Sequence, residues 1–116
     1  MKSSFFEVYK DKSKRRQCWR WRFVHPKDGI IAKSEEPFAL RRNCERSIKI
    51  IQAGIWLKEN FISSKTNTIY WAIKSKNGRT IGMSPKGYDS VPDLEKDWKI
   101  FKRRFAKAIL ILSEND

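Results

Sequence analysis

Cys18-Trp19-Arg20-Trp21-Arg22-Phe23-Val24-His25 alternates aromatic and guanidinium side chains, and that alternation decides the fold. Trp19, Trp21 and Phe23 share one parity and Arg20 and Arg22 the other. A period of two therefore puts the rings on one face of a strand and the arginines on the opposite face. Asp28-Gly29 supplies a hairpin turn before a second strand at residues 30–34. Fifty residues later the plan returns, with an aromatic strand at 69–74, a turn at Asn77-Gly78 and a further strand at 81–84.

Upstream, Phe6 and Val8 fall on one face of a first strand. A polar loop over 10–17 follows it and carries Lys10, Lys12, Lys14, Arg15 and Arg16. Downstream the period changes. Leu40, Cys44, Ile48, Ile51 and Ile55 step by four, four, three and four, one face of an α-helix, with Arg42, Arg46 and Lys49 on the opposite side. Gly54 suits a left-handed C-terminal cap, which leaves Ile55 and Trp56 beyond the helix. The second helix is capped by Ser90, tolerates Pro92 in its first turn, and aligns Leu94, Trp98, Phe101 and Phe105. That series is the first one shifted by fifty, and Lys96 and Lys99 stand fifty after Arg46 and Lys49. Agreement of both faces reads as an internal duplication. The expectation is a single domain over 1–116, made of a repeat 5–57 and a repeat 58–113. Residues 108–112 fit either more helix or a short buried strand.

The fold class expected is α+β: two tandem β-β-β-α(-β) repeats, antiparallel sheets packed by two helices, with pseudo-two-fold symmetry. A chain of 116 residues with 40% hydrophobic and 13% aromatic content has material for one core, not two. No apolar run approaches a membrane span, and Met1-Lys2-Ser3-Ser4 opens no signal peptide, so no membrane association is expected and the localisation expected is cytoplasmic. Cys18 and Cys44 form no C-x-x-C motif and His25 is the only histidine, too few soft ligands for a metal site. Both cysteines read as small apolar residues.

These residues together resemble the YegP-like family of small tandem-repeat proteins of bacteria and archaea. Phe6-Glu7-Val8-Tyr9-Lys10-Asp11 and Trp19-Arg20-Trp21-Arg22 are similar to the start of that family's repeat. Asn77-Gly78, Ile81, Ser84, Tyr88 and Ser90 are similar to its second half. The likeness runs over residues 5–113. The first copy departs from it: Asp28-Gly29 replaces Asn-Gly, Phe38 replaces the tyrosine, and Leu40 stands where the capping serine belongs. The loop ending at Arg16 is also longer than the family's usual short turn. The resemblance implies a final strand that crosses to the other copy, so that 58–63 pairs into a sheet and 107–113 is strand. It brings no catalytic residues.

Nothing in the chain builds a reaction centre. His25 beside Pro26 reads as a turn residue, and Glu35-Glu36 before Pro37 as solvated loop. Asp93, Glu95 and Asp97 sit where negative charge favours a helix N-terminus. No Gly-rich phosphate loop is present, and no cofactor is expected. Trp19, Trp21, Trp71 and Trp98 read as core, and Trp56 as the best candidate for an exposed or interface ring.

What remains is charge. The formal net charge is +13, and residues 1–58 hold 15 basic against 6 acidic residues where 59–116 hold 11 against 7. Self-repulsion of this size does not help folding, and polyanions are the usual reason for it. The function expected is therefore a small, basic, non-enzymatic module that binds nucleic acid, DNA or RNA, mainly through phosphates. The residues expected to carry it are Lys14, Arg15, Arg16, Arg20, Arg22, Arg42, Arg46 and Lys49. Arg20 and Arg22, as free outward side chains, should be replaceable without loss of stability. The alternative is a protein-interaction module, homodimeric or of phage or mobile-element origin, that recognises an acidic protein surface.

Overall fold

A computed structural model describes residues 3–12 and 17–113. In chain order the elements are β1 (Phe5–Asp11), β2 (Cys18–His25), β3 (Gly29–Lys33), α1 (Arg41–Gln52), β4 (Leu57–Ser63), β5 (Thr68–Lys74), β6 (Thr80–Met83), α2 (Val91–Arg104), a 3₁₀ turn (Phe105–Lys107) and β7 (Ile109–Leu112). The strands form one sheet in the order β4-β5-β6-β3-β2-β1-β7, with both helices contributing to the hydrophobic core on one face.

This corrects the expected architecture in two respects. There is one sheet rather than several, and it is mixed, because β7 runs parallel to β1 with Phe5 opposite Ile109 and Val8 opposite Leu112. The strand number is seven, with three strands before α1, three between α1 and α2, and one after α2. The crossing of the final strand to β1, and the pairing of β4 with β5, match what the resemblance implied. Gln52 helps set that crossing: its amide donates to the Ala108 carbonyl at 2.7 Å, where the chain leaves α2 for β7.

The alternating strand behaves as its parity requires. Trp21 and Phe23 are buried against Phe6 and Val8 of β1, while Arg20 and Arg22 lie on the far face beside Glu7, Tyr9 and Asp11. Contacts spaced by fifty residues recur through the sheet. Trp21 and Ser34 are joined by a 2.9 Å bond from the Ser34 N–H to the Trp21 carbonyl, and Trp71 and Ser84 by the same bond at 2.9 Å. The buried hydroxyls of Ser34 and Ser84 each accept the backbone N–H of their tryptophan. Trp19 bridges to Phe38 as Ile69 does to Tyr88. Bulges fall between Phe23 and Val24, and between Ile73 and Lys74. The β2–β3 and β5–β6 turns each have a glycine at positive φ, Gly29 at 77° and Gly78 at 84°, conformations that L side chains rarely adopt.

Helix α1 buries Cys44, Ile48 and Ile51, together with Ser47, whose hydroxyl returns to the Cys44 carbonyl at 2.7 Å. The two ends of its apolar series, Leu40 and Ile55, are exposed. Leu40 has the extended backbone of an N-cap but offers no side-chain hydrogen bond, whereas Ser90 accepts the Asp93 N–H at the head of α2. Trp56 is not the exposed ring the sequence suggested. Its edge packs on Trp98 and Phe105, and its indole N–H donates to the Ile51 carbonyl at 2.8 Å, closing the end of α1.

At the centre of the sheet, Lys33 of β3 faces Met83 of β6. Gly82 lies beside that junction, and a Cβ added there would come within 2.9 Å of the Trp21 ring. The ring is fully buried and has nowhere to retreat. Gly82→Ala should therefore cost about 1–3 kcal/mol by overpacking, seen as a lower denaturant midpoint at unchanged slope. Leu40→Ser should act in the other direction, supplying the missing cap and raising stability by about 1 kcal/mol in the same measurement.

Candidate nucleic-acid interface

The outward face of β2 is less cationic than its sequence. Arg20 Nε lies 2.6 Å from Asp11 Oδ2, and Arg22 Nε lies 2.6 Å from Glu7 Oε1. The Arg22 guanidinium also stacks over the Tyr9 ring at 4.5 Å. Cross-strand pairing on this face thus gives each arginine an acidic partner from β1. Burial pushes the Tyr9 phenol above its ordinary value, with Arg22 and Arg20 pulling the other way. The outer face of the second half repeats the theme: Lys74 pairs with Glu59 at 3.1 Å, and Phe61 stacks on Tyr70. Lys14, Arg15 and Arg16 lie outside the described residues.

The helical layer is different. Arg42, Arg46 and Lys49 of α1 are exposed, and so are Lys96, Lys99, Lys102, Arg103 and Arg104 of α2. None of these eight takes part in an ion pair among the described residues. Three of the four acids on the same helices are engaged elsewhere, and the fourth, Asp93, is exposed in the first turn of α2. Glu45 pairs with Arg41, and Glu95 is drawn to Lys58 at 3.2 Å, whose ammonium also sits over the Trp98 ring. Asp97 accepts the Tyr88 hydroxyl at 2.6 Å. Burial, that bond and the Asp97 charge push the Tyr88 phenol far above its ordinary value, against a smaller opposing pull from the Trp71 indole N–H. The phenol thus stays protonated and keeps donating to Asp97.

The candidate residues therefore divide. Arg42, Arg46 and Lys49 come together on the helical side, and Arg20 and Arg22 lie on the other side of the sheet. Lys96, Lys99, Lys102 and Arg103 were not among the site residues read from the sequence. Their signal was present in helical spacing along α2 and in the fifty-residue match to Arg46 and Lys49.

Two grooves of similar size flank the helices. One, about 600 Å³, lies between α1 and the β5–β6 hairpin and is lined by Asn43, Arg46, Ile50, Ile55, Lys76 and Arg79, among others. The other, about 590 Å³, lies between α2 and the end of β2, lined by His25, Lys96, Lys99, Ile100, Arg103 and Arg104. His25 acts there as a turn residue: its Nδ1 accepts the backbone N–H groups of Lys27 and Asp28 and stands 3.0 Å from Asp28 Oδ2. Cys18 and Cys44 are buried free thiols, and desolvation pushes Cys44 up to about 12, so it is held as the inert thiol. Among the described residues no helix is long and apolar enough to cross a membrane.

A mixed seven-stranded sheet backed by two helices is an arrangement also found in two solution structures. The UPF0339 protein SO3888 of Shewanella oneidensis superposes with a TM-score of 0.77 at 16% identity, over 95% of this chain and 91% of that one. The E. coli protein yegP, described as of unknown function, superposes with a TM-score of 0.81 at 16% identity, over 100% of this chain and 98% of its own. The chain thus has a YegP-like fold. No protein-family model and no curated protein matches it. Identity this low shows the fold alone, and a fold does not name a function.

The ion pairs on β2 change what its arginines should do. Replacing Arg20 and Arg22 with Ser removes a guanidinium from Asp11 and from Glu7, both largely shielded, so the double variant should lose about 1 kcal/mol and melt earlier. An unchanged thermal midpoint would show that the pairs contribute nothing.

Proposed function

We propose that this protein is a small, basic, non-enzymatic module that binds nucleic acid mainly through phosphate contacts, and that it does so with the solvent face of α1 and α2 rather than with β2. The observation that carries this reading is the set of unpaired cations, Arg42, Arg46, Lys49, Lys96, Lys99, Lys102 and Arg103, on one side of the molecule. Unpaired exposed cations can take the place of the counterions condensed on a nucleic acid, whereas cations already paired to carboxylates must first give up those partners. We further read the chain as an internal duplication of 5–57 and 58–113, on the strength of the contacts that recur at a spacing of fifty. On that reading Arg46 and Lys49 correspond to Lys96 and Lys99, and each half supplies its own share of a common cationic surface.

A second reading has its own support. Among the described residues the outer backbone edge of β4 has no partner strand, and Leu57 and Ile62 on it are 73% and 65% exposed. An edge of that kind is a template for strand addition, which favours the protein-interaction alternative, homodimer included.

A titration against duplex DNA, single-stranded DNA and RNA at two salt concentrations tests the first reading. Affinity should fall with salt at a log–log slope of about −0.9 per duplex phosphate contact. Replacing Arg42, Lys49 and Lys99 with Ser should flatten that slope by about two to three units. The Arg20 and Arg22 substitutions should leave it nearly unchanged. No retention of any nucleic acid at about 100 mM salt, together with a dimer by light scattering, would transfer the assignment to the β4 edge.

A further inference from the structure

We infer that the groove between α1 and the β5–β6 hairpin receives a single unstacked nucleotide, its base on the apolar floor and its phosphate at the cationic rim. This inference rests on the nucleic-acid reading above and assigns it a site. The two grooves beside the helices are nearly equal in size, but their linings differ. The α2 groove gathers Lys96, Lys99, Arg103 and Arg104 around Glu95, with only Pro92 and Ile100 as apolar lining, and phosphates would satisfy its cations. The α1 groove has Phe38, Ile50, Ile55 and Ile81 along its floor. Ile50 is 37% exposed and Ile55 48%, apolar surface that the fold leaves open to water. A purely phosphate-binding groove has no use for it.

The rim supplies charge of the matching sign. Arg46 is unpaired on α1, Lys76 stands in the facing hairpin, and Arg79 is held only by Glu36 at 3.9 Å, with both side chains mostly exposed. Asn43, one helical turn before Arg46, brings an amide that can both donate to and accept from a base edge. A volume of about 600 Å³ lies within the roughly 300–1,000 Å³ range of small-ligand sites. Bases within a duplex are stacked and cannot enter such a groove, whereas an unpaired base can be splayed into it and read by stacking and hydrogen bonding. The partner is therefore single-stranded nucleic acid.

The test compares two labelled strands of equal length, an oligothymidylate and a fully abasic strand with the same phosphates, by fluorescence anisotropy at about 100 mM salt. The wild-type protein should bind the strand with bases about tenfold more tightly, the scale of losing one base contact. Ile55→Ser, at an exposed position beyond the helix cap, should erase most of that difference while keeping the wild-type melting curve and the affinity for the abasic strand. Lys99→Ser should weaken both strands alike. Equal affinity of the wild-type protein for the two strands would overturn the groove assignment and leave the phosphate reading standing. A preference for bases that persists in Ile55→Ser would place the base elsewhere and overturn it as well. Failure of both strands to bind would remove the nucleic-acid reading itself.

Discussion

Phe101 holds the molecule together. This one ring of α2 makes edge contacts with Phe6 and Phe23 from the first half of the sheet, and tilted contacts with Trp71 and Trp98 from the second. The sheet needs such a clamp at its centre. There Lys33 opposite Met83 is the single register pair between β3 and β6, whereas β1 and β2 are paired over seven positions. Where backbone hydrogen bonding is sparse, cohesion must come from the side chains on the inner face. Each fully buried aromatic contributes about 1.5–3 kcal/mol of transfer free energy, and each well-placed ring pair adds about 0.5–1.5 kcal/mol. Gly82 belongs to the same constraint, because the Trp21 ring occupies the space a side chain there would need.

Consuming one whole face of the sheet and one stripe of each helix in this way determines where the charge can go. On the outer face of the sheet, pleating sets Glu7 and Asp11 beside Arg22 and Arg20, and the charges cancel locally. On the helices, Tyr88 and Lys58 draw Asp97 and Glu95 into contacts of their own, leaving the lysines and arginines of the solvent stripe outside any ion pair among the described residues. The excess of +13 is thus expressed unevenly on the surface. Mutual repulsion along α1 and α2 opposes folding there, and the aromatic clamp must exceed it.

Much of this was legible in the chain. The alternation of Trp19 to Phe23 gave the orientation of β2, the Asp-Gly and Asn-Gly pairs gave the hairpins, and the four-four-three spacing gave α1. These are local signals with short periods. What failed depended on distant partners. The merger into one sheet rests on a contact between Lys33 and Met83, positions that share the fifty-residue spacing but whose side chains carry no sign that they meet. The run 109–112 is too short for periodicity to decide, and only the parallel pairing to β1 makes it a strand. Trp56 was misjudged because its role is set by what it touches, the Ile51 carbonyl and the Trp98 and Phe105 rings, and not by its place in a series. The ion pairs of Arg20 and Arg22 were within reach, since Glu7, Tyr9 and Asp11 share one parity on the neighbouring strand. Parity within β2 alone could not show that the acids stood opposite.

Positions 38 and 88 show how two halves built alike come to differ. Tyr88 is buried, and its hydroxyl is fixed to Asp97 on α2. Phe38 has no hydroxyl, and the position fifty before Asp97 is Ser47, which turns its own hydroxyl back to the Cys44 carbonyl. The first half therefore lacks the side-chain bond that ties loop to helix in the second. It lacks the Ser90 cap as well, with Leu40 in its place. Phe38 stays only partly covered and takes its place, with Ile50 and Ile81, in the floor of the α1 groove. The α1 groove is thus the more apolar of the two, with Phe38, Ile50, Ile55 and Ile81 in its lining, where the α2 groove has Pro92 and Ile100 among four cations.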